Sequence, residues 1–408
     1  MDEADEGRSR PVWGVALTAA GGEGLAPTAD WSGSVTDGRL PPSGDGAGFG
    51  VDFASDLTLM AELGIGALRW TIDWSRLEPR PGRWDSDAVD HVTEVLRAAR
   101  RAGVEVWAVL HDGPAPGWFT DDARGFLDDD ALGRTWPRHV DRVAETFGDL
   151  VTGWVPILDP FTVARDGYRT GTRPPSRRDE RDFLDVLDAM HRASLSAWRL
   201  LSSGAPPVAC CIDTCPVEPG VTSREPDERD AARARVQAAD RLRVGVWMRA
   251  LTDGLLAIPG RGEVELEGLA GAYDVVGLTY RGARTLFADG SDGPYPLDAP
   301  VAADGRAPWT EGLGVVLRRL SDELPGRRLA VLGTGMVDAA DDWRTEVLAG
   351  SVLEVDRAAA DGVRVERAFW ESAIDGWTPE CGLGVPDGLI DRARHPRPSL
   401  GALPVSSR

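Results

Sequence analysis

The sequence predicts one closed (β/α)8 barrel, an α/β TIM barrel in a single domain, and three observations predict it. Eight apolar, strand-like runs are spread along all 408 residues, and amphipathic helical patterns lie between them. No run leads into a GxGxxG or GxxxxGK[ST] loop, which an open, nucleotide-binding sheet would carry.

The strands are expected at Val12–Leu17, Ala67–Asp73, Val104–His111, Thr152–Leu158, Pro207–Ile212, Asp274–Tyr280, Leu329–Gly333 and Val363–Trp370. The apolar stripes predict helices over Asp52–Leu63, Ser86–Ala102, Asp182–Leu201, Asp227–Leu256, Leu313–Leu324 and Asp342–Ala360, several opening on Ser or Asp caps. Two connections, 18–50 and 281–310, are long and rich in Gly, Pro, Asp and Ser. Loops of that length in a compact domain are usually functional, and in a barrel they form the rim of the pocket at the C-terminal ends of the strands. Residues 1–10 are expected to form a disordered acidic N-terminus and residues 11–408 the barrel.

Composition narrows the function. Asp and Glu outnumber Lys and Arg by 66 to 45, a net charge of −21, so the average surface repels nucleic acid and anionic lipid. No stretch reaches the ~18 apolar residues of a membrane span, and the start has no apolar leader, so the expectation is a cytoplasmic protein without nucleic-acid or membrane partners. Lysine and asparagine are absent and Gln237 is the single glutamine. Schiff-base chemistry and a P-loop lysine are thereby excluded, and a site must work almost without side-chain amides. Cys210, Cys211, Cys215 and Cys381 contain no CxxC pair. Cys210 and Cys211 are neighbours on a strand and point to opposite faces, which suits buried small apolar residues better than a metal cluster. No metal and no cofactor are expected.

The strand ends carry a resemblance. Trp13-Gly14-Val15-Ala16 with Glu23-Gly24, the run Arg69-Trp70-Thr71-Ile72-Asp73-Trp74-Ser75-Arg76-Leu77-Glu78-Pro79, and Phe147-Gly148-Asp149 onward through Trp154, Pro160, Gly167-Tyr168, Gly171 and Pro174-Pro175 come in order. Gly388-Leu389-Ile390-Asp391 through Pro396-Arg397-Pro398-Ser399 closes the series. Together they resemble the family 1 glycoside hydrolases, the retaining β-glucosidases and β-galactosidases, over nearly the full length. The resemblance implies carbohydrate metabolism and a small glycoside as partner.

It also implies two catalytic glutamates that are missing. The family's strand-four Asn-Glu-Pro falls on Leu158, Asp159 and Pro160, so the acid/base position holds Asp159, with its carboxyl withdrawn by ~1.5 Å. A misplacement of that size costs orders of magnitude in rate. The nucleophile position on strand seven falls on Gly333. Of the family's sugar-binding residues, the Gln falls on Gly21, the His on Asp112, the strand-six Tyr on Arg281, the strand-eight Trp on Glu371 and the Glu near Thr378. Arg69 and Asp375 keep the family's identities.

The expected reading is a catalytically impaired homologue, a pseudoenzyme, binding a sugar or another small polar ligand through Arg69, Asp112, Arg281, Asp375 and Glu23. In it, Arg281 sits between Asp112, Asp159 and Glu371 as a salt-bridged plug that neutralises buried acids. One alternative is an active O-glycosyl hydrolase of altered, inverting mechanism, with Asp159 and Glu371 as the two carboxyl groups. A second is a non-catalytic scaffold or interaction protein. Trp31, Trp118, Trp309 and Trp377 lie in loops and could stack on a sugar at the rim, and His111 is expected to be a packed or rim residue. Oligomeric state is open at this point.

Overall fold

The computed structural model describes residues 10–122, 124–220 and 226–405. The acidic terminus expected over residues 1–10 lies outside the described residues, Arg10 excepted.

The barrel strands are β1 (Val12–Leu17), β2 (Ala67–Thr71), β3 (Glu105–Val109), β4 (Gly153–Val155), β5 (Ala209–Thr214), β6 (Val275–Tyr280), β7 (Leu329–Gly335) and β8 (Val365–Glu371). They pair in parallel in the spatial order β4-β3-β2-β1-β8-β7-β6-β5. The two ends meet where Trp154 bridges Val208 and donates its N–H to the Pro207 carbonyl at 2.9 Å. Closure removes both sheet edges.

Alternation along the strands separates two apolar layers. Ala16, Ala67, Trp107, Val155, Cys211, Val275, Ala330, Leu332 and Phe369 fill the barrel interior. Their neighbours Val15, Leu68, Val106, Trp154, Cys210 and Val331 point outward to the helices. Cys210 and Cys211 are thus small buried residues on opposite faces, both free thiols. The Trp107 indole fits inside because β4 passes it at Gly153, where a Cβ would sit 2.5 Å from the ring.

The outer layer is α1 (Phe49–Glu62), α2 (Ser86–Ala102), α3 (Trp136–Phe147), α4 (Glu180–Leu201), α6 (Val246–Asp253), α7 (Thr310–Glu323) and α8 (Asp341–Ala360), while α5 (Pro226–Asp240), which leads into α6, packs against the short strands Val217–Pro219 and Arg284–Leu286. Helix α2 follows from local chemistry. Asp85 caps it by accepting from the Ala88 N–H at 3.0 Å, Val92, Val95, Leu96 and Ala99 bury one face, and Gly103 ends it at φ 77°.

The helical layer departs from the sequence expectation at two points. The single helix predicted over Asp227–Leu256 is broken: α5 and α6 are joined by a widened turn at Arg241–Gly245, and α6 stops at Gly254 (φ 72°). Leu255 and Leu256 then enter a small antiparallel hairpin with Gly262–Glu265, because a glycine in the left-handed region ends a helix whatever apolar residues follow. Helix α3 is additional. Pro137 sits in its first turn, and Trp136, Val140, Val143 and Phe147 recur at helical spacing on its buried face. Among the described residues no helix is long and apolar enough to cross a membrane.

Candidate active site

The C-terminal ends of the strands open into a cavity of ≈ 230 Å³ lined by Arg69, Asp112, Asp159, Arg281, Glu371, Trp31 and Trp377 among others. Its centre is an ion cluster assembled from four strands.

Arg69, inside β2 and 1% exposed, donates from Nη1 to the Leu332 carbonyl at 2.6 Å and from Nη2 to Glu371 Oε1 at 2.7 Å. Arg281, just past β6, donates from Nε to Glu371 Oε2 at 2.6 Å and from Nη2 to Oε1 at 3.0 Å. Its third nitrogen, Nη1, lies 2.8 Å from Asp159 Oδ2. One guanidinium therefore holds both carboxylates. Asp159 is at the left-handed position φ 49° that starts the short helix Pro160–Ala164, a conformation aspartate tolerates. Its Oδ1 accepts from the Thr279 hydroxyl, and its N–H points to Cys211 Sγ.

The two acids are pushed apart in proton affinity. Burial opposes ionisation of Glu371, but Arg281 and Arg69 outweigh it and hold the carboxyl well below the usual range. For Asp159 burial wins: despite Arg281, desolvation with Asp213 and Glu371 nearby raises its affinity for a proton. Asp112 stands apart from Arg281. Its Oδ2 accepts from the Thr71 hydroxyl at 2.7 Å, and burial pushes it up to about 6 against the pull of Thr71 and Arg69. The expected three-acid plug around Arg281 is thus a two-acid one, because Glu371 and Asp159 take all three guanidinium nitrogens.

Gly333 faces this cluster. A Cβ built there would lie 2.8 Å from Glu371 Cδ and 3.0 Å from Arg69 Nη1, so the Glu371 carboxylate occupies the side-chain space that position 333 leaves empty.

Other expected residues lie elsewhere. Glu23 faces His91 Nε2 at 3.3 Å and Arg76 at 3.9 Å, and lines a separate cavity of ≈ 490 Å³ beside α2, outside the barrel mouth. Asp375 accepts from the Asp387 and Gly388 N–H groups at 3.2 and 2.9 Å and pairs with Arg397, so its oxygens serve the closing loop. Trp31, Trp377 and Thr378 do line the mouth. Trp118 instead donates to the Glu78 carbonyl at 2.7 Å, and Trp309 packs edge-on against Tyr295. His111 is buried among Phe126 and Trp136, and burial pushes it down to about 4, so it is neutral.

Sequence reasoning missed Asp213 and Asp387. Asp213, in β5, accepts from the Thr162 N–H at 3.0 Å and lies 3.4 Å from Arg243. It stands one residue past the predicted strand, so the strand-end position itself was the available signal. Asp387 lines the mouth from a loop, accepts from the Gly376 N–H at 2.8 Å and is pushed up to about 7 by burial. Nothing in the sequence marks it. Among the described residues no three His, Cys, Asp or Glu side chains are grouped to hold a metal ion.

Fold and site together define a closed (β/α)8 barrel with two carboxyl groups held by one guanidinium at the C-terminal ends of its strands. The family model for glycosyl hydrolase family 1 matches residues 46–284, more than half of the sequence, and the chain belongs to that family. It is β-glucosidase-like. It is 30% identical to beta-glucosidase 34 of Oryza sativa subsp. japonica over 31% of this chain, spanning about a quarter (24%) of that relative's length. Beta-glucosidase 12 of Oryza sativa subsp. indica aligns over 85% of this chain and 80% of its own length at 22% identity. Among solved structures, the beta-glycosidase from Pyrococcus horikoshii superposes with a TM-score of 0.86 at 23% identity, covering 95% of this chain and 92% of that one. The beta-glucosidase from Thermotoga maritima in complex with glucoimidazole gives 0.83 at 18% identity, covering 95% and 96%. At these identities the likeness is one of fold.

Proposed function

We propose that the barrel mouth binds a β-glycoside or a related small sugar and hydrolyses it far more slowly than a barrel with unencumbered carboxyl groups. One observation carries this reading: the Arg281 guanidinium bridges Asp159 and Glu371. Both acids direct oxygens at a cation that a reacting glycoside would need them to direct at its own bond. Carbohydrate as the ligand is supported by family membership and by the Thermotoga maritima relative, whose complex holds glucoimidazole.

The test is turnover of an aryl β-glucoside by the purified protein. The expected kcat is below ~10⁻² s⁻¹, about three orders under the ~10 s⁻¹ median of enzymes. A kcat near that median would overturn the impaired reading.

A second reading, a hydrolase of altered mechanism using Asp159 and Glu371, is favoured by the opposite proton preferences of the two acids. Such a split is how one site provides a proton donor and an ionised partner together. The two readings differ in rate, and in what Glu371 does.

A further inference from the structure

We infer that Glu371, delivered by β8, has replaced the missing strand-seven carboxylate and acts as the nucleophile of a slow double displacement. This rests on the mouth's binding a β-glycoside.

Three features of the strand ends carry the inference. The first is space: position 333 has no side chain, and the volume that a Cβ there would claim is filled by the Glu371 carboxylate. The second is backbone approach. Gly335 pairs with Glu371 across β7 and β8, and a Cβ at 335 would sit 3.1 Å from the Glu371 carbonyl carbon and 3.2 Å from its Cβ. The two glycines of Gly333-Thr334-Gly335 thus admit, respectively, the carboxylate and the backbone of one glutamate. A shift in the β7–β8 register between Val331 and Thr334 accompanies this approach. The third is the cationic seat. Arg69 holds the Leu332 carbonyl with one nitrogen and Glu371 with another, so it anchors the carboxylate directly against β7. Glu371 is also accessible, its side chain 21% exposed in the wall of the cavity that Asp159 shares.

The step balances without a further reactant. A Glu371 oxygen forms a bond to the anomeric carbon as the glycosidic C–O bond breaks. The electron pair leaves with the aglycone oxygen, which takes the proton of Asp159. Water then attacks the anomeric carbon, gives a proton to Asp159, and the bond to Glu371 breaks with its electron pair returning to the carboxylate. Asp159 must exchange its Arg281 contact for the leaving oxygen in each half, which accounts for a low rate.

The test is covalent trapping on the full chain with 2,4-dinitrophenyl 2-deoxy-2-fluoro-β-glucoside, whose leaving group needs no proton. In parallel, calorimetry with an S-linked β-glucoside reports binding. The expected result is release of one equivalent of dinitrophenolate and addition of one fluoroglucosyl unit per chain, mapped by peptide mass spectrometry to Glu371. Glu371→Gln should lose the label while melting cooperatively. The double variant Gly333→Glu/Glu371→Ala, which returns the carboxylate to β7, should recover labelling, now on position 333. A label on Asp159 or any other residue overturns the inference. So does sugar binding without label, which leaves the binding reading standing; neither binding nor label overturns both.

Discussion

Two sets of buried ion pairs use the same chemistry in this barrel and do different work. At the closing segment, Arg394 grips Asp56 with bonds of 2.8 and 2.9 Å. Arg344, fully buried, pairs with Asp341 at 2.6 Å and also donates to backbone carbonyls. None of Asp56, Asp341 and Arg344 lines the mouth. At the mouth, Arg69 and Arg281 grip Glu371 and Asp159 equally tightly, yet every one of the four lines the cavity. The first set ties the end of the chain to α1 and α8, whereas the second presents charge to whatever enters. What separates a staple from a site is the empty space beside it, and residue types alone carry no record of that space.

That contrast can be broken most forcefully at the staple. Arg394→Ala leaves Asp56, whose side chain is wholly buried, without its cation. An uncompensated buried charge costs ~3–5 kcal/mol, so denaturant unfolding should shift to a markedly lower midpoint. Sugar binding by the folded fraction should not change. Loss of binding without loss of stability would erase the distinction between the two sets.

At the mouth a single methyl group should act differently. Gly333→Ala forces Glu371 off Arg69 and Arg281, at a cost of about 1–3 kcal/mol for overpacking. Fluoroglucosyl labelling should fall at least ~10-fold with it. A labelling rate equal to that of the unaltered chain would mean that the space above Gly333 is not where the chemistry occurs.

A third effect is one of pH. Burial raises Asp112 from its ordinary value of 3.8 to about 6. The folded chain therefore holds this proton more tightly than the unfolded one, and stability falls as pH rises from about 4 to about 6, then levels off. Asp112→Asn removes that slope, so the variant should gain relative to the unaltered chain between pH 4 and 6.5. Parallel stability curves across this interval would show that Asp112 ionises freely in the folded protein.

How much of this was legible in the sequence follows the same division. Strand and helix periodicities located all eight barrel strands, since both apolar layers leave period-two or continuous runs. Their failure over Asp227–Leu256 came from two places, the widened turn at Arg241–Gly245 and the left-handed Gly254. Asp159, Arg281 and Glu371 were legible because strand ends converge in a closed barrel. Glu23 ends a short helix, Ala19–Glu23, within the long first connection and Asp375 sits on a loop, and in such segments sequence gives proximity along the chain but no direction. One turned towards Arg76 and His91, the other into the closing segment. The pairing of Glu371 with the void at Gly333 was out of reach for a further reason. It depends on two side-chain positions 38 residues apart meeting across a sheet register, and no local pattern encodes that.

Calorimetric titration of an S-linked β-glucoside into the unaltered chain, Arg394→Ala and Glu371→Gln tests the account most directly. It predicts equal dissociation constants for the first two and at least a ~10-fold weaker one, ~1.4 kcal/mol, for Glu371→Gln. Undiminished binding by Glu371→Gln, or no binding by the unaltered chain, would contradict it.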